Sequence, residues 1–197
     1  MIAIINYGVG NIKSIYKALK LFYDDITVTL DKNYIEESKG IVLPGVGAFS
    51  TAMENLSKFE IDKVIKNTEK PVLGICLGLQ LFAKASEEGN CDGLGLINTT
   101  VRKLPKNKYK VPHMGWNTVK VTRHSEILKG IGKKFFAYFV HSYYLKVNEY
   151  ELANTDYIVN FSSAVQKDNF LGFQFHPEKS GKVGLKILKN FVEICKK

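Results

Sequence analysis

The sequence has few cysteines and no long hydrophobic run. Only three of its 197 residues are cysteine, Cys76, Cys91 and Cys195, and this odd number without zinc-ligand spacing favours neither a disulfide framework nor a metal site. The apolar stretches, such as Pro71–Leu79, are far shorter than the roughly 18 residues of a membrane helix. No basic region precedes the apolar start Met1–Ile5. The sequence therefore predicts an untargeted cytoplasmic protein with no membrane span.

Acidic residues are also few, since 19 aspartates and glutamates stand against 28 lysines and arginines and leave a formal net charge of +9. A nucleic-acid-binding surface would concentrate such charge, together with arginine and exposed aromatic residues, on one part of the chain. Here most of the basic residues are dispersed lysines, and only Arg102–Lys110 forms a cluster. The distribution favours a solvated lysine surface over a nucleic-acid partner, although it would also attract an acidic small substrate or an acidic protein.

Apolar residues are sufficient for a core, because a chain of 197 residues with 45% hydrophobic and 12% aromatic content predicts one compact domain over residues 1–197. Strand-length apolar segments alternate with helix-length amphipathic segments in the first half, whereas the second half is rich in strands. We predict strands at Met1–Asn6, Ile26–Thr29, Gly40–Leu43, Pro71–Ile75, Val101–Leu104, Asn117–Val121, Phe135–Val140, Ile158–Ser162, Ala164–Lys167 and Leu171–Phe175. We predict helices at Asn11–Phe22, Ala48–Lys58, Glu60–Asn67, Leu77–Ser86 and Lys182–Cys195. This order predicts an α/β fold: a largely parallel open sheet with helices on both faces, extended by antiparallel strands.

A first candidate motif follows the opening strand, where Gly8-Val9-Gly10 is similar to the start of a dinucleotide phosphate loop. The position of the third glycine, or alanine, of such a loop is occupied by Lys13. Close packing of helix against strand is therefore not specified, and a structural turn is the favoured interpretation.

The most informative segment places Cys76 between Gly74 and Gly78, where a buried strand runs directly into a predicted helix. This is the arrangement of a nucleophile elbow, a strained turn that leaves little room for side chains two residues before and two residues after the nucleophile. The positive end of the helix would also favour a thiolate. A buried structural cysteine is the alternative. The two flanking glycines favour an activated nucleophile.

A base with an orienting acid is found among the four histidines only at His176-Pro177-Glu178, directly after a predicted strand. Pro177 disfavours helical angles at His176, and in an extended segment the side chains of residues 176 and 178 lie on the same side. Glu178 could then hold the imidazole while His176 transfers a proton to and from Cys76. An isolated His-Pro-Glu is more often a turn than a site, so its significance depends on Cys76.

These motifs resemble those of a known enzyme family. The segments 74–80 and 174–178 are similar to the two signatures of class I, triad-type glutamine amidotransferases. Within that class, motifs along the whole chain resemble those of the glutaminase subunits of imidazole glycerol phosphate synthase, namely Asn6–Asn11, Pro44–Phe49, His113–Asn117, Tyr138–Tyr144 and Lys179-Ser180. The resemblance implies a flavodoxin-like α/β fold, no cofactor, and hydrolysis of glutamine through a thioester on Cys76.

The resemblance also implies which residues surround the reaction. The oxyanion hole is expected from the N–H of Leu77 and from the loop at Val46 and Gly47, whose glycines would permit a peptide flip. The glutamine-binding residues are expected to be Gly47, Gln80, His141, Ser142 and Tyr143. Without the resemblance, Pro44-Gly45 would be an ordinary turn and Tyr138–Tyr144 an ordinary core strand.

A protein partner is implied by the resemblance as well. The face that meets a (β/α)₈ cyclase subunit, in a heterodimer that passes ammonia between the two proteins, is expected to include His113, Met114, Trp116, Asn117, Tyr138 and Lys179. Trp116, the only tryptophan, could be an interface anchor or a core residue with equal justification.

Two alternatives to this glutaminase of histidine biosynthesis stay open. Asn6 stands where the family more often has aspartate, which leaves room for a related glutaminase that feeds ammonia to a surface-sugar-modifying enzyme. A non-catalytic interaction protein with an elbow cysteine is the alternative from another class. Release of glutamate from glutamine would separate that class from the other two.

Overall fold

The computed structural model describes residues 1–8, 11–106 and 109–197. Val9 and Gly10 of the glycine-containing turn, and Asn107 and Lys108 of the basic cluster, lie outside the described residues. No helix within these ranges is long and apolar enough to cross a membrane.

A nine-stranded mixed sheet forms the centre of the molecule, in the order β2-β1-β3-β4-β13-β12-β11-β8-β9. Its strands are β1 (Ile2–Ile5), β2 (Ile26–Thr29), β3 (Gly40–Leu43), β4 (Val72–Ile75), β8 (His113–Val121), β9 (Lys134–His141), β11 (Glu151–Tyr157), β12 (Val159–Lys167) and β13 (Phe170–Phe173). The half from β2 to β13 is parallel, and β12, β11, β8 and β9 extend it in antiparallel pairs. The predicted fold class is confirmed.

Helices cover both faces of the parallel half. They are α1 (Ile12–Lys20), α2 (Lys32–Glu37), α3 (Phe49–Lys58), α4 (Ile61–Asn67), α5 (Leu77–Gln80) and α6 (Gly181–Cys195). Neighbouring residues of β1 belong to different hydrophobic clusters: Ile4 packs in the cluster that contains residues of α1 and α6, and Ile5 in the cluster that contains residues of α3 and α4. Because side chains alternate along a strand, a strand between two helical layers has to be apolar throughout, and all four residues of β1, β3 and β4 are buried.

A second, four-stranded sheet has the order β10-β7-β5-β6. Its strands are β5 (Ala83–Ser86), β6 (Cys91–Asp92), β7 (Ile97–Lys103) and β10 (Tyr143–Leu145). The predicted helix Leu77–Ser86 is therefore wrong in its second half, since α5 ends at Gln80 and β5 follows. The residues of β5 have no strand preference of their own, but Ala83 pairs with Ile97 and Ser86 with Val101. This pairing overrides local propensity.

Other boundaries differ where the pattern is weak. β8 begins four residues before its predicted start, and the two strands predicted within 158–167 form one strand, β12. The short helix α2 and the strand β11 were not predicted. The sequence of β11, Glu-Leu-Ala-Asn-Thr-Asp-Tyr, is largely polar and lacks a clear alternation, so its place in the sheet comes from pairing with β12 and β8.

Three adjacent parallel strands, β3, β4 and β13, end at the same edge of the main sheet. The segments that follow them are the Gly45–Gly47 loop, the Cys76 turn and the His176–Glu178 segment. The carboxyl edge of such a sheet is where open α/β folds bind their ligands. The fold therefore brings the three predicted site segments together although they lie up to about 130 residues apart in the chain.

Candidate active site

Cys76 lies at the apex of a sharp turn between β4 and α5, with φ of 54° and ψ of −105°. A positive φ is uncommon for any residue other than glycine and stores strain. The turn is closely packed, because a Cβ atom at Gly78 would lie 1.8 Å from the Leu43 carbonyl oxygen and one at Gly74 would lie 2.7 Å from the backbone of Gly78. Both glycines are thus required by sterics. The helix α5 is only one turn long, so its dipole contributes less to thiolate stabilisation than the sequence predicted.

His176 and Glu178 form a buried pair directly after β13. His176 Nδ1 lies 2.8 Å from Glu178 Oε1, and the two side chains are only 2% and 0% exposed. A carboxylate can only accept, so Nδ1 carries the proton and Nε2 is left for the neighbouring Cys76. Within the described residues, Nε2 of His176 and Oε2 of Glu178 have no hydrogen-bond partner of standard geometry.

The electrostatics of this pair depend on the sulfur atom. Burial by itself lowers the pKa of His176, but interactions with the thiolate of Cys76 and with the Glu178 carboxylate outweigh it and raise that pKa to about 10. The site therefore favours a protonated His176 next to Cys76, and an adjacent imidazolium is the kind of environment that activates a cysteine as a nucleophile.

Two further groups contact the sulfur. As a thiol, Cys76 Sγ donates towards the Val140 carbonyl oxygen at 3.7 Å, and the fully buried Gln174 directs its Nε2 towards Sγ at 3.7 Å. The Oε1 atom of Gln174 accepts from Gln80 Nε2 at 3.2 Å. Gln174 therefore links Cys76 to Gln80.

A cavity of about 320 Å³ opens beside Cys76. It is lined by Val46, Gly47, Cys76, Leu77, Gln80, Glu88, Pro112, Val140, His141, Ser142 and Tyr143. All residues predicted for glutamine binding and for the oxyanion hole thus lie around one cavity. A larger groove of about 610 Å³, between α2 and α4, contains none of them.

Hydrogen bonds to the Tyr143 carbonyl hold the polar side chains of the cavity wall in place. The Tyr143 carbonyl oxygen accepts two hydrogen bonds, from Gln80 Nε2 at 2.9 Å and from His141 Nδ1 at 2.9 Å. Both bonds given by the Gln80 amide within the described part of the chain use its nitrogen, which leaves Oε1 as an available acceptor on a residue that lines the cavity.

The predicted oxyanion donors are not both available in this arrangement. The N–H of Leu77 points at the Gly45 carbonyl oxygen over a long 3.4 Å. The Gly45–Val46 peptide therefore presents an acceptor where an oxyanion hole needs a donor. Rotation of this one peptide would exchange the carbonyl for the N–H of Val46, and Gly45 provides a flexible joint on one side of it. Gly47, with φ of 135°, follows in the same loop.

Three of the six predicted interface residues, Met114, Trp116 and Tyr138, share one face of the edge hairpin β8–β9, and Lys179 lies beside them. Met114 and Trp116 are 64% and 57% exposed, Trp116 pairs with Tyr138 across the strands, and Lys179 Nζ lies 5.8 Å from the centre of the Tyr138 ring. Phe136, 64% exposed on the same face, was not predicted. Trp116 is thus a surface residue rather than a core residue.

His113 does not lie on this exposed face, although the sequence predicted it among the interface residues. Side chains alternate along β8, so His113 points to the opposite side from Met114, where it is 3% exposed and lies 3.0 Å from His141. Asn117 has the same orientation as His113 and is hydrogen-bonded to it at 3.3 Å. Neither residue belongs to the exposed apolar face.

Glu88 and Gln174 are site residues that sequence reasoning missed. Among the described residues, Glu88 is the one acidic side chain in the lining of the Cys76 cavity, and its Oε2 accepts from the N–H of Phe49 at 3.1 Å. Partial burial raises its pKa despite that bond. In the sequence it stands in a charged turn without a motif, whereas the position of Gln174 two residues before His176 was a usable signal.

Comparison with known proteins agrees with this geometry. Residues 3–195 match the family described as glutamine amidotransferase class-I. The chain belongs to the class-I glutamine amidotransferases. Within this family it is 54% identical to the imidazole glycerol phosphate synthase subunit HisH of Archaeoglobus fulgidus over 199 residues, with 100% of both chains covered. It is 47% identical to HisH of Bacteroides fragilis over 195 residues, which cover 98% of this chain and 99% of that one.

These relatives place this class-I glutamine amidotransferase in the HisH group, and the prediction of a glutaminase with a cysteine nucleophile is confirmed. A non-catalytic protein is accordingly not favoured. The fold is shared with a solved glutamine amidotransferase at a TM-score of 0.76 and 18% identity, covering 100% of this chain and 99% of that chain. PurLQS from Thermotoga maritima has a TM-score of 0.75 at 19% identity, with 98% and 97% covered.

Proposed function

We propose that the chain, acting as one domain over residues 1–197, is the glutaminase of a histidine-biosynthetic synthase and that Cys76, His176 and Glu178 carry out the hydrolysis. The observation that carries the proposal is the strained Cys76 turn facing the buried His176–Glu178 pair at the wall of a cavity. The membership of the HisH group favours this over supply of ammonia to a surface-sugar-modifying enzyme.

The chemistry follows from the charges of the site. The thiolate of Cys76 attacks the side-chain amide carbon of glutamine, and His176 gives its Nε2 proton to the nitrogen as the C–N bond breaks and ammonia leaves. Water then attacks the thioester while His176 accepts its proton, and the C–S bond breaks to release glutamate. Glu178 keeps the tautomer of His176 and stabilises its imidazolium without taking the proton itself.

Substrate recognition is assigned to the polar wall of the cavity. The α-ammonium of glutamine needs acceptors, and the Glu88 carboxylate and the free Gln80 Oε1 atom are suited to it. The N–H groups near Ser142 and Tyr143 are suited to the α-carboxylate. His141 orients this wall through the Tyr143 carbonyl.

The oxyanion hole is assigned to the N–H groups of Leu77 and Val46, with Gly47 next to them. The contact between Leu77 N–H and the Gly45 carbonyl supports a resting state in which the hole is incomplete. We infer that glutamine hydrolysis is slow until the Gly45–Val46 peptide rotates.

The partner is proposed to be a HisF-like (β/α)₈ cyclase subunit bound as a heterodimer over the exposed apolar face of Met114, Trp116, Phe136 and Tyr138. Contiguous exposed apolar side chains mark protein interfaces. This face is close to the site, because the Tyr138 carbonyl accepts from the N–H of His176 at 2.9 Å. A closed interface here would keep ammonia from bulk water, where it would be protonated. The cytoplasmic location stays a prediction.

The test is Cys76→Ala in the complex with the cyclase subunit. We expect loss of glutamine-dependent product formation, while turnover with added ammonium salts is retained, because the amination belongs to the partner. Loss of the ammonium-dependent reaction as well would contradict the assignment, since Cys76 would then be needed for the structure of the complex. Retained glutaminase activity would exclude Cys76 as the nucleophile.

A further inference from the structure

Behind the glutamine cavity lies a buried aromatic cluster centred on His113, which the mechanism above does not use. The imidazole ring of His113 stacks on Tyr157, with ring centres 3.9 Å apart at 15°, and on Phe139, at 4.8 Å and 21°. His113 is opposite His141 in the β8–β9 pairing. A buried polar side chain between two aromatic rings has to be held by hydrogen bonds.

His113 belongs to a chain of hydrogen bonds, and the donor and acceptor in each bond can be assigned by starting at the Tyr143 carbonyl. The Tyr143 carbonyl oxygen can only accept, so His141 carries its proton on Nδ1, at 2.9 Å. His141 Nε2 is then an acceptor, and His113 Nδ1, 3.0 Å away, has to be the donor. His113 Nε2 therefore accepts from Asn117 Nδ2 at 3.3 Å.

The outer end of the chain is consistent with this direction. Asn117 Oδ1 accepts from the N–H of Thr118 at 2.7 Å, and Asn117 Nδ2 also donates to the Asp156 carbonyl oxygen at 3.1 Å. The amide therefore presents its nitrogen to His113. Burial lowers the pKa of His113 to about 4 and, together with the proximity of His113, that of His141 to about 3. Both rings are neutral near pH 7, so each has one defined tautomer.

The inner end of the chain reaches the cavity. The Tyr143 carbonyl oxygen that accepts from His141 also accepts from Gln80 Nε2, at 2.9 Å in both cases. If the His141 ring shifted, its Nδ1–H would no longer reach the Tyr143 carbonyl oxygen, and that carbonyl would be free to move. The Gln80 amide would then lose one of the two bonds that hold it in the cavity wall.

We propose that His113 is a positioning residue for glutamine binding: by donating to His141 Nε2 it holds the His141 ring where Nδ1–H reaches the Tyr143 carbonyl, and so keeps that carbonyl and the Gln80 amide in place in the cavity wall. The proposal rests on the proposed function, because it takes Gln80 as a contact of the substrate. It also explains why a histidine, rather than an aromatic residue alone, occupies the stack between Tyr157 and Phe139.

The kinetic test compares two variants of the full chain with the cyclase subunit in excess. His113→Phe keeps a ring in the stack but removes the donor, and we expect the KM for glutamine to rise about tenfold, the value of one lost hydrogen bond. kcat should change less than about threefold, since the affected contact binds substrate and transition state alike. His113→Asn places an amide N–H near the position of Nδ1 and should restore most of the KM.

The second readout is the hydrogen bond from His141 Nδ1–H to the Tyr143 carbonyl, measured by NMR of the ring N–H group. The chain has only four histidines, which keeps the spectrum simple. In the wild type we expect His141 to be protonated on Nδ1, with the proton resonance of a hydrogen-bonded ring N–H. In His113→Phe the carbonyl still selects the same tautomer, and we expect the Nδ1–H proton resonance to move upfield because the ring shifts and this hydrogen bond lengthens. The same substitution at the exposed His124 is the control and should change neither readout.

Each outcome decides between the alternatives. A raised KM together with a shifted Nδ1–H resonance of His141, and recovery in His113→Asn, supports the proposal. A raised KM with an unchanged Nδ1–H resonance overturns it and leaves His113 as a packing residue, as does an unchanged KM. Absence of glutamine hydrolysis in the wild-type complex would instead overturn the proposed function, so the two failures are distinguishable.

Discussion

Gln174 provides a sharp test of how the sulfur of Cys76 is activated. Its Nε2 donates towards Sγ at 3.7 Å while its Oε1 accepts from Gln80. In Gln174→Glu the side chain keeps its size and its acceptor for Gln80, but a carboxylate oxygen replaces the donor next to the thiolate. The substitution therefore perturbs the nucleophile and leaves the glutamine contact in place.

The size of the effect follows from the distance. Two negative charges 3.7 Å apart repel each other by about 4 kcal/mol at an effective dielectric constant of about 20. This corresponds to about three pH units in the pKa of a thiol. The new carboxyl group can relieve part of the repulsion by taking up a proton, so we expect the thiol pKa to rise by at least about one unit.

The assay is the pH dependence of alkylation of Cys76 by iodoacetamide, with the modified residue identified by peptide mass, since Cys91 is also partly accessible. The alkylation profile should move to higher pH, and kcat for glutamine should fall at least tenfold with little change in KM. Gln174→Met, which removes both bonds without adding charge, should alter KM as well.

The matched control is Gln166→Glu in the neighbouring strand β12, where the side chain bonds to Ser125 instead of the active site. It should leave the alkylation profile of Cys76 unchanged. If Gln174→Glu gave the same profile as the wild type, the contact between Gln174 and Sγ would have no electrostatic role and our account of the activation would be wrong.

Three further predictions concern the proton relay, the oxyanion loop and stability in acid. Glu178→Gln should reduce kcat less than His176→Ala, because the carboxylate orients the base without transferring the proton, and equal losses in steady-state assays would contradict this division. The partner with its bound nucleotide should stimulate glutaminase kcat by about 10² to 10³, the value of one oxyanion donor, and full activity of the isolated chain would exclude the mechanism. Gly47→Pro should abolish the stimulation, because proline cannot adopt the φ of 135° at this position and restricts the preceding Val46, whose N–H is the movable donor. In the folded chain, burial keeps the pKa values of His113 and His141 at about 4 and about 3, below the usual 6.5. The unfolded chain therefore binds protons first as the pH falls, and the free energy of unfolding should decrease from pH 6.5 towards 4. The free energy of unfolding, measured with urea at a series of pH values, should fall by up to about 1.4 kcal/mol per pH unit for each buried histidine. If His113→Phe left this slope unchanged, His113 would not contribute to it.

The site could be predicted in large part because its chemistry is local in the sequence. Two glycines around Cys76 predict a turn that has no room for other side chains, and the extended His-Pro-Glu segment predicts the contact of His176 with Glu178. Both inferences need only backbone geometry over about five residues. The neighbouring strands β4 and β13 then bring the two segments together.

What could not be predicted depends on pairing between distant segments. The strand Ala83–Ser86 lacks strand-forming residues, and its pairing with β6 and β7 makes it a strand. The orientation of His113 requires the strand to begin at residue 113, because the alternation of β8 decides which side chains are buried. Glu88 reaches the cavity from a turn between two strands of the second sheet and has no local signature.

The strained backbone of Cys76 has a consequence for the history of such enzymes. A residue with φ of 54° and ψ of −105° costs about 1 to 3 kcal/mol, which glycine would largely avoid. At this one position, selection for a stable fold and selection for glutamine hydrolysis thus oppose each other. A lineage released from the need for glutamine could lose the nucleophile by a change that strengthens the fold. Inactive descendants of this protein would then keep Gly74 and Gly78 and have another residue, such as glycine, in place of Cys76, while the strands of the surrounding sheet would be preserved.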